Sequence, residues 1–397
     1  MTRVTAGRQR PISGSGGAVE ARTTLEWGGS QFELAYRFSR GPVSETSSPY
    51  LAASLLPAMR LGEPLQVGGT VSPKLLASVP AIETIFSGWF DRTSQIEVKA
   101  QTAPEPKAAG VACFFSGGVD SFYSALRHLD EITGLVFVSG FDIESRDLEL
   151  RERVSKTLRE AAFSLGKPLI EVETNVRVFS DRFALWSEEY HGSALASVAL
   201  LLSPQFGRFY LPASFSPRYS APWGTHKDLD PLWSTDATEI IHDGADASRV
   251  QKARLVAKSE VALRSLRVCW ENRGGQYNCG YCEKCIRTMV NLQIAGALER
   301  CTTFQNRLDL SHVARVPIPD ECSRVFIEEN LEAAREQGDD KLARALASSL
   351  VRKQGRFVDR LRRGDIRGRV ARRIKRALAP EARQNFELPE MSLLTRP

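Results

Sequence analysis

A strand that runs into a glycine-rich loop and then into a helix constrains this chain more than any other feature. The segment reads Val111-Ala-Cys-Phe-Phe-Ser-Gly-Gly-Val-Asp-Ser-Phe-Tyr-Ser-Ala-Leu126, and its apolar start predicts a buried strand. Glycines such as Gly117 and Gly118 let the backbone approach an anion closely. The free N–H groups and the dipole of the following helix favour phosphate. The segment predicts a phosphate-binding loop; the alternative is a tight, glycine-rich turn.

The polar side chains of this loop suit the same chemistry. Ser116 and Ser121 can add hydroxyl donors, and Asp120 can cap the helix or hold a magnesium ion. The loop lacks the Lys-Ser/Thr ending of a Walker A sequence and is not a Gly-x-Gly-x-x-Gly dinucleotide pattern. It therefore belongs to neither of those two classes of nucleotide site.

From Val111 onward, short apolar strands alternate with helical segments, which predicts an α/β fold with a parallel sheet covered by helices on both faces. Ligands of such sheets bind beyond the carboxyl ends of the strands. Five strands are predicted, at Val111–Phe115, Leu135–Val138, Leu169–Val172, Phe209–Leu211 and Glu239–Ile241.

Four regions are predicted along the chain. Residues 1–22 are rich in Gly, Ser, Arg and Thr and are expected to be disordered, and a linker is expected at 99–110. The other three regions are a small N-terminal α+β domain (23–105), the α/β domain (110–300) and a helical basic C-terminal extension (320–397).

Four of the seven cysteines crowd into one short segment, Cys269, Cys279, Cys282 and Cys285, with spacings of 10, 3 and 3. The clustering indicates a metal rather than cross-links, and four thiolates form a closed structural zinc site. Four buried cysteines, a redox pair and an iron–sulfur cluster are the alternatives.

The loop resembles the Ser-Gly-Gly-x-Asp-Ser signature of the PP-loop ATP-pyrophosphatases, whose fold is adenine nucleotide alpha hydrolase-like. Together with the cysteines and the Arg287 that follows them, it resembles 7-cyano-7-deazaguanine synthase, over about Val111 to Leu298. The segment around Lys252 resembles a Lys-bearing helix of that family, and the predicted catalytic residues are Ser116, Asp120, Ser121 and Lys252. The resemblance implies that ATP phosphates lie on the loop (Ser116, Gly117, Gly118, Val119, Asp120, Ser121) and adenine lies against Phe137 and Val138, with Mg²⁺ as the cofactor.

The family's substrate segment is not visible, and Ser214 to Asp236 stands in its place. This stretch follows a strand and is rich in polar and aromatic residues, so it predicts a changed substrate site; an ordinary turn-rich connection is the alternative. The predicted substrate-binding residues are Arg218, His226, Lys227 and Asp228.

Charge is concentrated at the end of the chain. The net charge is +6, while 13 Lys or Arg against 3 Asp or Glu between Val351 and Arg383 give a local excess of +10. This tail predicts contact with RNA phosphates, an anionic membrane surface or an acidic partner, or else a helix docked on its own domain. No apolar run approaches the ~20 residues of a membrane span, so we expect a cytoplasmic protein. A homodimer is a separate expectation for its assembly.

The implied function is an ATP-dependent carbon–nitrogen ligase that adenylates a carboxylate or amide oxygen, with release of pyrophosphate. Ammonia or an amine then displaces AMP to give an amide or nitrile. One alternative is RNA thiolation, which needs a sulfur carrier among Cys113, Cys301 and Cys322. Another is a non-catalytic nucleotide-binding module.

Overall fold

The computed structural model describes residues 1–12, 17–143, 147–304, 307–318 and 320–351. The strands are β1 (Thr2–Val4), β2 (Arg8–Pro11), β3 (Val19–Trp27), β4 (Ser30–Phe38), β5 (Leu65–Val71), β6 (Val98–Thr102), β7 (Gly110–Phe114), β8 (Gly134–Ser139), β9 (Leu169–Thr174), β10 (Phe206–Pro212) and β11 (Glu239–Asp243). The helices are α1 (Ser48–Leu61), α2 (Pro73–Trp89), α3 (Val119–Arg127), α4 (Leu148–Ser164), α5 (Val176–Ser180), α6 (His191–Leu201), α7 (Arg249–Val256), α8 (Glu260–Ser265), α9 (Glu283–Ile294), α10 (Leu310–Val313), α11 (Glu321–Glu336) and α12 (Asp340–Val351).

The five predicted strands are present as β7 to β11, and each pairs in parallel with its neighbours in the order β11-β10-β7-β8-β9. The chain therefore moves outward from β7 in one direction through β8 and β9, and in the other through β10 and β11. The connections after β7 and β10 diverge at the point where the direction reverses. In open α/β sheets, the crevice at such a point is the usual place for a ligand.

Successive residues of β7 pack on opposite faces of the sheet, because side chains alternate along a strand. Ala112 and Phe114 belong to a core that also contains helices α1 and α6. Cys113 and Phe115 belong to a second core shared with α3, α4 and α8. Helices cover both faces of the parallel strands, as expected for strands that are buried on both sides.

The sheet differs from the prediction in size, since in the described residues it has eleven strands and not five. The additional strands come from the N-terminal region, where β3 and β4 form an antiparallel hairpin across Gly28 and Gly29. Strand β4 then pairs antiparallel with β9, so the region 23–105 and the parallel strands share one sheet.

Two further expectations for the N-terminal region are corrected. The described parts of the segment predicted to be disordered, 1–12 and 17–22, instead contain β1, β2 and the start of β3. The expected linker 99–110 begins within β6, which pairs with β5. These short strands are rich in Arg, Thr and Gln and have little apolar content, so composition alone does not reveal their pairing.

One side chain extends the pairing of β4 with the parallel strands. Asn175, just after β9, is 3% exposed; its Oδ1 accepts from Ala35 N (2.9 Å) and its Nδ2 donates to Glu33 O (2.9 Å). We expect Asn175→Ala to lower the free energy of unfolding by about 3 kcal/mol, because two backbone groups lose their partners. Denaturant titration beside Gln31→Ala, an exposed change on β4, tests this; equal stability of the two variants would contradict it.

Helices α9 to α12 form a third core at the C-terminal side, built from residues such as Ile286, Ile327 and Leu346. Within 320–351, the predicted helical extension is present as α11 and α12. The predicted basic tail after Val351 lies outside the described residues. Among the helices that are described, none has the length and apolar content needed to span a membrane.

Candidate functional site

The predicted phosphate loop joins β7 to α3 at the carboxyl edge of the sheet. Gly117 has φ +77°, and Gly118 is the N-cap of α3. Ser121 is buried and its hydroxyl donates to Gly118 O (3.1 Å), whereas Ser116 is exposed and lies 3.4 Å from Ser121 Oγ. The loop presents the N-terminus of a nine-residue helix together with a hydroxyl donor. This is the arrangement expected for an anion site.

The conformation of Gly117 gives a direct test of the loop. A Cβ there would lie 2.8 Å from Leu158 Cδ2, in a backbone region that side chains rarely adopt. We expect Gly117→Ala to cost about 1–2 kcal/mol of stability from the φ value alone and to weaken pyrophosphate binding through displacement of the loop. Gly166→Ala is the matched control, because Gly166 has φ +69° but a Cβ added there would meet no atom within 4 Å. Calorimetric titration should show lost affinity only at position 117; equal affinity in both variants would contradict this role.

Two cations converge on Asp120, in the first turn of α3. Arg249 Nη1 lies 2.9 Å and Lys252 Nζ 3.3 Å from Asp120 Oδ1. Burial tends to raise the pKa of Asp120, but Arg249 and Lys252 outweigh it and hold that pKa below its ordinary value. Asp120 is therefore ionised, and one carboxylate balances two cations, so the cluster keeps an excess of positive charge.

Helix α7 positions Lys252 in contact with the segments that follow β7 and β10. Its side chain is 1% exposed, and its Nζ also donates to Ala213 O (2.6 Å), directly after β10. Burial lowers the pKa of Lys252, and Asp120 partly offsets that. The predicted lysine thus lies at the reversal point of the sheet.

Arg287, which follows the last cysteine, belongs to the same cluster. Its side chain is 9% exposed and forms an ion pair with Glu283 (3.2 Å). Burial lowers the pKa of Arg287, and the charges of Arg249 and Asp120 also act on it. Three cations from α7 and α9 therefore lie close to two carboxylates, Asp120 and Glu283.

Arg267 is a fourth cation, which the sequence alone does not indicate. Its backbone N–H donates to Gly117 O (2.8 Å), and its Nη2 donates to Asn272 Oδ1 (2.7 Å). Arg267 and Arg249 are each 8% exposed, and among the described residues the Nε of each is buried with no hydrogen-bond partner. Buried guanidinium donors without partners, beside a helix N-terminus, indicate an anion that would satisfy them.

The predicted adenine contacts lie at the end of β8, the next strand of the sheet. Phe137 is 9% exposed and packs in the core that contains the loop residue Val119. Val138 points to the opposite core. The two side chains lie on opposite faces, because they are adjacent on a strand, so a single flat ligand can contact only one of them face-on.

The four predicted substrate residues have different surroundings, since three are exposed and His226 is buried. Arg218 forms an exposed ion pair with Glu332 of α11 (2.6 Å). His226 is 7% exposed; its ring lies 4.8 Å from that of Trp89, and its Nε2 is 2.7 Å from Ser220 Oγ. Lys227 and Asp228 are exposed and pair with each other (3.1 Å).

His226 does not have the arrangement of a general base for Ser220. Its Nδ1 accepts from Asp228 N (3.1 Å), so the neutral ring carries its proton on Nε2 and donates to Ser220. Burial lowers the pKa of His226, which favours that neutral form. Its contacts are those of a residue that stabilises the loop.

The four clustered cysteines fit a tetrahedral metal. Their ligand atoms all lie within 4.8 Å of one another, and all four side chains are buried. Cys279 Sγ and Cys285 Sγ are 3.9 Å apart, close to the roughly 3.8 Å separation that Zn–S bonds of about 2.3 Å imply. Backbone N–H groups of Cys282 and Cys285 point at thiol sulfurs (3.3 and 3.4 Å), as expected for a knuckle that carries thiolates. The four residues could hold a metal such as zinc.

The cysteine site is connected to the phosphate loop through Asn278. Its Oδ1 accepts from Val268 N (2.9 Å) and Cys269 N (3.2 Å), and its Nδ2 donates to Leu266 O (2.9 Å). These bonds fix the backbone on both sides of Arg267. Cys269, the first of the four clustered cysteines, and the arginine beside Gly117 are therefore held by one short segment.

Helix α11 also reaches this site, which the sequence did not indicate. Phe326 and Glu329 contact Arg249, and Cys322 lies where the charges of Arg287 and Arg249 act on it. Of the three cysteines outside the cluster, Cys322 is therefore the one with a cationic neighbourhood. Burial nevertheless raises the pKa of Cys322 to about 12.

Comparison with known proteins gave no match to a family model, to a curated protein or to a solved structure.

Proposed function

We propose that the chain is a PP-loop ATP-pyrophosphatase of the 7-cyano-7-deazaguanine synthase type with a changed substrate. It would activate a carboxylate or amide oxygen by adenylation and transfer the acyl group to a nitrogen nucleophile. The observation that carries the proposal is the cluster of Arg249, Lys252, Arg267 and Arg287 around the helix N-terminus at Ser116–Ser121.

The charges of this cluster suit a polyphosphate better than a single small anion. Asp120 pairs with Arg249 and Lys252, and Glu283 pairs with Arg287, so two carboxylates offset two of the four cations and about two positive charges remain for a ligand. Preorganised cations that face developing negative charge stabilise a transition state without reorganising. Pyrophosphate develops its charge as it leaves ATP, so this end of the site is assigned to the β- and γ-phosphates.

The reaction balances with ATP as the only activating reagent. An oxygen of the acceptor attacks the α-phosphorus, the bond from that phosphorus to the bridging oxygen breaks, and pyrophosphate leaves with the electron pair. Ammonia or an amine then attacks the activated carbon and expels AMP. In this scheme Lys252 and Arg249 contact the departing phosphates, and the exposed hydroxyl of Ser116 and the backbone N–H groups of α3 hold them. Mg²⁺, carried in with ATP, supplies charge neutralisation.

Product analysis tests the proposal directly. The full chain would be incubated with ATP, Mg²⁺, ammonia and a panel of carboxylates that includes carboxy-deazaguanine, and AMP, ADP, phosphate and pyrophosphate would be quantified. Formation of AMP and pyrophosphate that depends on one acid supports adenylation and identifies its substrate class. Formation of ADP and phosphate would exclude it.

RNA thiolation is the second candidate, and the position of Cys322 beside Arg249 and Arg287 is the observation that favours it. Its raised pKa argues against a resting thiolate, and Cys113 and Cys301 also have pKa values raised by burial. Cys322→Ser distinguishes the two candidates. An amide-forming enzyme keeps its rate of pyrophosphate release, whereas a sulfur-transferring enzyme loses product formation while still adenylating.

A further inference from the structure

Helix α11 contributes one aromatic ring to the cation cluster. The centroid of the Phe326 ring lies 5.1 Å from Arg249 Cζ and 4.2 Å from Arg287 Cζ. Phe326 is 4% exposed, so both contacts are shielded from water. One ring therefore contacts two guanidinium groups that come from different helices, α7 and α9.

These two arginines carry like charges that oppose their close approach. The charge of Arg249 acts on Arg287, and burial already disfavours the charged form of that side chain. The negative face of an aromatic ring attracts a guanidinium group, and the attraction is largest where water is excluded. Phe326 thus offsets part of the cost of holding both cations at the site.

A carboxylate on the same helix fixes the start of α7. Glu329 is 5% exposed, one turn from Phe326, and its Oε2 accepts from the backbone N–H of Arg249 (3.0 Å). Arg249 is the first residue of α7, where backbone N–H groups lack partners within the helix. Glu329 therefore sets the position from which the Arg249 side chain reaches Asp120.

We infer that helix α11 forms part of the anion site. Its residue Phe326 is a positioning residue that holds Arg249 and Arg287 beside Asp120, where they bind pyrophosphate. The identity of the anion rests on the proposed function. The C-terminal extension is then required for binding, although the resemblance to known enzymes ends before it.

If Phe326 only filled space in the core, its substitution would affect pyrophosphate binding differently than if it positioned the two arginines. Phe326→Leu keeps an apolar side chain but removes the aromatic face, whereas Phe326→Tyr keeps the face. Ile327→Val is the matched control, because Ile327 is 2% exposed on the same helix and packs in the core formed by α9 to α12. Binding of inorganic pyrophosphate to the full chain would be measured by calorimetry, beside the thermal midpoint of each variant.

We expect Phe326→Leu to weaken pyrophosphate binding about tenfold, the scale of a desolvated cation–π contact. The affinity of Phe326→Tyr for pyrophosphate should stay within about threefold of that of the unmodified chain. Ile327→Val should bind pyrophosphate as tightly as the unmodified chain, whatever the thermal midpoint of that variant. Unchanged affinity in Phe326→Leu, or equal losses in Phe326→Leu and Ile327→Val, would overturn the inference.

Pyrophosphate binding and AMP formation are separate readouts of the unmodified chain. A chain that binds pyrophosphate but forms no AMP overturns adenylation and leaves the positioning role of Phe326 in place, because that role is measured by binding. A chain that binds no pyrophosphate overturns both.

Discussion

Replacing Lys252 with methionine is expected to reduce AMP and pyrophosphate formation by about two to three orders of magnitude. Methionine has a similar length and apolar stem, but it removes the cation that lies 3.3 Å from Asp120 Oδ1 and 2.6 Å from Ala213 O. Arg249 would remain as the direct ion-pair partner of Asp120. The site would then hold one cation fewer against the charge that develops on pyrophosphate.

Lys258→Met is the matched control, since Lys258 follows α7 closely in sequence but is exposed. Initial rates of pyrophosphate release would be compared at equal folded fraction, judged by the thermal midpoint. Similar rates for the two variants would refute the role given to Lys252. Arg249 and Lys252 are both buried at the site, whereas Lys258 is exposed.

Removing the metal site is expected to have the largest effect on stability. Structural zinc contributes about 10–16 kcal/mol to the folding of small zinc-finger peptides, more than the roughly 2–5 kcal/mol of most large core truncations. The purified chain should contain one zinc ion. Cys282→Ser should lose that ion and lower the thermal midpoint strongly, because three buried thiols would be left crowded without a cation.

Cys301→Ala is the control for this prediction. Cys301 is 4% exposed and lies outside the four-cysteine group, with its Sγ near Thr303 Oγ1 (3.5 Å). It should retain one zinc ion and lose about 1 kcal/mol. Metal analysis and thermal unfolding decide between the two cases. A Cys282→Ser protein with a full zinc content and an unchanged midpoint would rule out the site.

The features that sequence predicts well are those encoded locally. The loop Ser116–Ser121 occupies consecutive positions between a strand and a helix, and the cysteine knuckle is also contiguous, so each is visible without knowledge of the fold. Strands β7 and β8 are predictable because burial on both faces makes them almost entirely apolar.

The features that sequence does not reveal depend on contacts between distant segments. The alternation of apolar and polar residues along β4 shows which of its faces is buried. It does not show that the edge of β4 pairs with β9. In the sequence, Arg267 cannot be distinguished from other arginines, nor Phe326 from other core aromatic residues. Only the fold brings Arg267 to Gly117 and Phe326 to Arg287. The reverse holds for His226, whose residue type makes it a candidate and whose contacts with Ser220 and Trp89 give it a role in the loop.

The antiparallel junction between β4 and β9 has a consequence for any attempt to shorten the chain. Without residues 1–105, β9 would become the outer strand of the parallel sheet, and the backbone groups now paired with Tyr36 and Phe38 would face solvent. Its sequence Leu-Ile-Glu-Val-Glu-Thr places apolar and acidic residues in alternation, a pattern open to pairing with another chain. The N-terminal region thus serves as a cover that keeps the parallel strands from self-association, and a fragment that begins at Gly110 would be expected to aggregate.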